Sequence, residues 1–143
     1  MTILGKWAFH SIATYDEENN LVYLNREEYL ASPMPYIDET DVEQVADEVR
    51  ERMQTVNMQV QVFENQTLYL LVPIPEDVSK AELREALDRG EFILYDQMLT
   101  DRAIPWEIRD NELYYAMGDG EWVKAIDEDG FFTVFTTRFQ KVD

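Results

Sequence analysis

Apolar and polar side chains alternate along much of this chain. Alternation is the periodicity of a β-strand, whose successive side chains point to opposite faces. The first such run covers residues 3–15. With Trp7 pointing inward, Phe9, Ser11 and Ala13 share its face, and Lys6, Ala8, His10 and Ile12 take the other. A polar stretch over 16–20 turns the chain into Leu21-Val22-Tyr23-Leu24. Further runs cover 58–62, 67–72, 91–95, 104–109, 112–117, 122–126 and 131–140. Asn65-Gln66, Asp110-Asn111 and Asp129-Gly130 separate several of them as turns, the last a strong hairpin signal. About eight or nine short strands joined by hairpins predict a mainly β fold. The expected architecture is a single antiparallel up-and-down β-barrel over residues 1–143, because closure removes exposed sheet edges.

Two segments break the alternation with helical spacing. Thr40-Asp41-Val42-Glu43 fits a capping box, and Val42, Val45, Val49, Met53 and Val56 then recur as an apolar stripe. A helix over 41–56 is expected. It should bury that stripe on one end or flank of the barrel, as a fixed cover or as a moving lid. Ser79-Lys80-Ala81-Glu82 caps a second helix over 79–89, with Leu83 and Leu87 on its apolar face and Gly90 at its stop. A shorter helical turn over 25–31 ends before Ser32-Pro33-Met34-Pro35. The fold class expected is thus a barrel with two inserted α-helices.

Charge narrows the partners. The chain carries 30 acidic residues against 12 basic ones, a formal net charge of −18. Such a surface repels phosphate backbones and anionic lipid, so neither nucleic acid nor membrane is expected as a partner. It serves as a solubilising coat, or it attracts a basic protein partner from a distance. There is no cysteine, which excludes disulfides and thiolate chemistry. No leader segment is visible at the N-terminus, and a cytoplasmic location is the simplest expectation.

The inventory for catalysis is thin. His10 is the one histidine, and Ser11 beside it should point to the opposite face of the strand, which would forbid a local nucleophile–base pair. Gly118-Asp119-Gly120 lacks the third glycine of a dinucleotide loop. Asp127, Glu128 and Asp129 offer oxygen ligands for calcium, but a hairpin turn explains them without an ion. Asp96 and Asp101 flank Met98-Leu99 and could line a rim as acid and base, although nothing separates them from loop residues. No catalytic residue, metal site or cofactor is assigned.

Gly5 and Trp7 in the first strand and Arg138 in the last resemble the signature of the calycins, the lipocalins and their relatives. The chain is similar to uncharacterised bacterial lipocalin-like domains. The resemblance implies a lipocalin-like barrel in which Arg138 packs across the Trp7 indole at the closed end. It also implies a container for a small molecule. The chain departs from the fatty-acid-binding relatives in having Arg138-Phe139-Gln140, which lacks the tyrosine of their carboxylate anchor. Inward strand positions Phe9, Met58, Val60, Val62, Trp106 and Ile108 are the expected ligand-lining residues. They would form an apolar pocket or simply fill the core. The leading expectation is a non-enzymatic carrier or sensor of a small apolar ligand. The alternative is an acidic protein-interaction module whose filled barrel is a scaffold, with Met34, Pro35, Tyr36 and Ile37 as its presented segment.

Overall fold

The computed structural model describes residues 3–142; Met1, Thr2 and Asp143, parts of the expected 1–143 domain, lie outside the described residues. Among the described residues, eleven strands and three helices follow one another. They are β1 (Gly5–Tyr15), β2 (Leu21–Leu24), α1 (Arg26–Ala31), α2 (Val42–Val56), β3 (Gln59–Val62), β4 (Thr67–Pro73), α3 (Lys80–Asp88), β5 (Ile93–Tyr95), β6 (Met98–Thr100), β7 (Ile104–Arg109), β8 (Glu112–Ala116), β9 (Trp122–Lys124), β10 (Phe132–Val134) and β11 (Thr137–Lys141). The expected two helices become three, because Asn25 and Glu28 complete a reciprocal capping box that nucleates α1.

The strands pair antiparallel in the order β10-β11-β1-β3-β4-β7-β8-β9. β2 adds to the second half of β1, and the β5–β6 hairpin adds to the end of β4. The expected closed barrel is not formed. End strands β9 and β10 form no ladder with each other; the chain after β9 bridges to β10 at Ile126–Phe132, with bonds from the Thr133 amide to the Ala125 carbonyl at 2.7 Å and from the Asp127 amide to the Phe131 carbonyl at 2.9 Å. The connection between them is a turn whose Asp129 and Phe131 amides donate to the Asp127 carboxylate, so they are spent before any ladder can use them. The result is a mainly β antiparallel sheet curled into a half-barrel.

One core fills the concave side. Trp7, Val60, Val62, Leu68, Ile104, Trp106, Leu113, Tyr115, Phe132 and Phe139 are buried there together. A β-bulge shifts the face pattern expected for β1. Phe9 stands opposite Phe139 and Ser11 opposite Arg138, so His10 is the extra residue. Trp7 and Phe9 face inward as expected. Beyond the bulge Ile12, opposite buried Thr137, takes that face, and Ser11 falls on the side of Arg138.

Helix α2 stands on the other side of the sheet. Leu71 of β4 is buried although its neighbours Leu70 and Val72 face the concave side, which puts it on the convex face. The Gln54 side chain of α2 donates to the Pro73 carbonyl at 3.2 Å and ties the helix to this strand. The stripe expected to be buried on α2 is only partly so. Val56 is buried, but Val42, Val49 and Met53 are exposed, and Arg52 occupies the buried face.

Candidate functional site

Strand β4 pairs with two partners along one edge, and the gap between them makes a cleft. Its start, Thr67 and Leu68, pairs with Pro105 and Ile104 of β7. Its end, Val72 and Pro73, pairs with Leu99 and Met98 of β6. Between the two registers, residues 100–103 stand against residues 69–71, a one-residue bulge that breaks the ladder beside Leu70. A cleft of about 300 Å³ opens there. Leu70, Val72, Phe92, Leu99, Ile104 and Met117 line it with carbon.

Alternation explains this lining. Leu70 stands opposite the fully buried Val60 and shares the concave face with core residue Leu68. Met117 follows β8 on the side of buried Tyr115 and packs against the core. The cleft therefore continues the filled interior toward one open end of the half-barrel. Its polar groups are Thr100 at the end of β6 and Asp101 and Arg102 just after it. Thr100 is buried and its hydroxyl donates to the Arg102 carbonyl at 3.2 Å. The Arg102 guanidinium donates to the Met117 carbonyl across the rim. This crossing depends on Gly118, whose backbone is left-handed at φ +107°; an added Cβ would stand 2.9 Å from Arg102 Nη1. Tyr115 floors the neighbouring core. Its hydroxyl donates to the Thr133 carbonyl at 2.9 Å, and burial pushes its ionisation up to about 12.

The expected lining residues do not gather around this space. Val60, Val62 and Trp106 are at most 8% exposed and belong to the packed core. A side chain that lined a ligand-sized void would keep accessible surface, so the interior at these positions is filled. The Trp106 indole N–H donates to the Phe63 and Thr67 carbonyls at 3.1 and 2.9 Å. Met58 packs on the core from the side, and Phe9 is half-buried opposite Phe139. Ile108 is 50% exposed and lies in a separate polar depression with Asn111, Glu112 and Lys124. Leu70, Val72 and Met117, which do line the cleft, lie in runs legible as strands, whereas Leu99 lies in β6, a strand the alternation did not announce. The missing signal was the change of partner along β4, which no local pattern encodes.

The expected packing of Arg138 on Trp7 is replaced by another arrangement. Thr137 and Phe139 face the core, so alternation sends Arg138 to the convex side. There its guanidinium lies over the Tyr23 ring at 3.7 Å and over Phe131 at 5.0 Å. Its Nε stands 2.9 Å from Asp127 Oδ2. Trp7 is enclosed in the core against Phe132, ring centroids 5.7 Å apart, and its indole N–H donates to the Ile3 carbonyl at 3.0 Å. Asp127 and Asp129, weighed above as calcium ligands, are turn-forming and Arg138-pairing groups.

His10 and Ser11 also differ from expectation. The bulge breaks the alternation that would separate them, and His10 Nδ1 stands 2.9 Å from Ser11 Oγ. The pair is not arranged for nucleophilic chemistry, because Ser11 is only 3% exposed and the imidazole packs at a tilt of 31° against Phe131, ring centroids 4.2 Å apart. Asp96 lies in the β5–β6 turn and approaches Lys6 at 3.8 Å, whereas Asp101 lines the cleft, so the two carboxylates have separate roles.

Arg52 is the functional-looking group that sequence reasoning passed over. Its side chain is 3% exposed. Its Nε donates to Glu48 at 3.0 Å, and its two terminal nitrogens donate to the carbonyls of Tyr29, Ser32 and Pro33 and to the Ser32 and Tyr36 hydroxyls. This side chain clasps α1 and the proline-rich segment to α2. Tyr36, expected in the presented segment, is 64% exposed, with its hydroxyl bonded to Glu48 and Arg52. Comparison with family models, curated proteins and solved structures returns no match for this chain.

Proposed function

We propose that this protein binds a small apolar molecule in the cleft between β4, β6 and β7. The observation that carries the reading is the cleft itself: a carbon-lined space at the low end of the volumes that hold small ligands, with a few polar groups on one side. Leu70, Val72, Leu99, Ile104 and Met117 would contact the ligand body. Phe92, 38% exposed, would close over it, and Arg102 and Asp101 would meet any polar end. The half-barrel and the Gly5–Trp7 start of β1 support a lipocalin-like reading, with the container moved from a barrel axis to the open end. The role is carriage or sensing without catalysis, in the cytoplasm, without nucleic acid or membrane as partner; the net charge of −18 supports the last part.

Native mass spectrometry of protein purified from its own host tests this reading. An adduct of a few hundred daltons, about the mass such a volume holds, should leave on denaturation and be missing from Leu99→Trp, which fills the cleft. Phe92→Ala, at an exposed position, should weaken retention without endangering the fold. An adduct-free wild type that also fails to bind apolar fluorophores would overturn it.

A further inference from the structure

On the convex side of β4 a second concavity, of about 570 Å³, runs between α2 and the segment after the strand. Its floor is apolar: Val49 and Met53 from α2 and Pro73, Ile74 and Pro75 from the strand end. Val49 is 42% exposed and Met53 38%, on a helix otherwise fixed by the Arg52 clasp. The exposure is therefore built into a held surface. Its rim carries Asp47, Glu51, Glu76 and Asp77 against Arg50, and Arg50 is already paired with Asp47.

These features select one kind of occupant. The acidic rim on a chain of net charge −18 disfavours a second copy of this chain and any nucleic acid or anionic lipid. Strand addition is poorly served as well. Pro73 and Pro75 offer no N–H, and the Pro73 carbonyl already accepts from Gln54. Recognition must then come from side chains entering an apolar floor between carboxylates. Methionine suits such a floor, because it adapts its shape to what it meets. We propose that this groove docks a basic amphipathic segment of a partner protein, an aliphatic anchor flanked by lysines or arginines. The groove and the cleft lie on opposite faces of β4, so this docking is independent of the ligand proposed above.

Fluorescence anisotropy with synthetic peptides on the full chain tests the proposal. The probes are a Leu/Lys peptide with leucines at helical spacing, the same peptide with serine for leucine, and the same peptide with glutamate for lysine. The Leu/Lys peptide should bind, and both altered peptides should bind at least about tenfold more weakly. Met53→Gln keeps charge and helix propensity and should also cost about tenfold. Glu51→Gln with Asp77→Asn should weaken binding and its salt dependence. Glu17→Gln with Glu18→Gln, an equal charge change in the remote β1–β2 turn, should leave affinity within about twofold. Equal binding of the serine peptide, or an equal loss from the remote pair, would overturn the proposal by reducing the attraction to general charge.

Discussion

Arg138 stacks on Tyr23, its guanidinium carbon 3.7 Å from the ring centroid, on the face of the sheet opposite Trp7. The cation is only 17% exposed and is neutralised by Asp127, so the stack is a partly desolvated one in which both contacts gain strength. It ties β2, the β9–β10 turn and β11 together outside the core. A double-mutant cycle should find coupling of about 1 kcal/mol between Tyr23→Leu and Arg138→Met. The Trp7→Ala and Arg138→Met pair should couple by less than about 0.5 kcal/mol. Trp7→Ala alone should cost about 3–5 kcal/mol, as truncation of a fully buried indole. Strong Trp7–Arg138 coupling in urea denaturation would contradict this arrangement.

The Arg52 clasp joins α2 to α1 and the segment after it, and α2 is expected to stay docked as one unit with them. Arg52→Ala would take the side-chain donor from the Ser32 and Pro33 carbonyls, while the Tyr29 carbonyl keeps its bonds from the Ser32 amide and hydroxyl, and would leave Glu48, 12% exposed, without its cation. A loss of about 3–5 kcal/mol is expected. Hydrogen exchange of the wild type should show core-like protection for the amides of the second half of α2, unchanged by apolar ligand. Rapid exchange there, slowed by ligand, would instead identify a lid.

Tyr115 should give the fold an alkaline limit. Burial raises its ionisation from 10.0 to about 12, so the folded chain keeps a proton that the unfolded chain gives up. The stabilisation is full below pH 10 and is lost as pH rises from 10 toward 12. Its size is about 2–3 kcal/mol. Wild type should lose stability relative to Tyr115→Phe across that window, read as the difference between their urea midpoints. Parallel curves would show that Tyr115 ionises equally easily in both states.

The strands were largely legible because alternation against one packed face is a local signal. Gln59–Val62 and Ile104–Arg109 emerged where the periodicity put them. The final run read as one strand over 131–140 is two, β10 and β11. Phe135 turns the chain at φ +53° without the glycine or asparagine that normally announces such a conformation. The phase of α2 was misjudged for a related reason. An arginine looks like a solvent-facing residue, so Arg52 stands outside the expected stripe of Val42, Val45, Val49, Met53 and Val56, yet it is buried with Val56 while Val42, Val49 and Met53 are exposed. The cleft was illegible. It arises where β4 exchanges β7 for β6, a relation between segments about 30 residues apart in a chain whose strand partners follow from the whole topology.

An apolar molecule should enter between β4, β6 and β7. Methyl-labelled NMR during titration with a medium-chain alcohol reads this directly, because methyl groups report contact residue by residue. Shifts concentrated at Leu70, Val72, Leu99, Ile104 and Met117, with Val60 and Val62 nearly still, are the predicted result. Saturating shifts centred on Val60 and Val62, or no saturable shift at any cleft methyl, would contradict it.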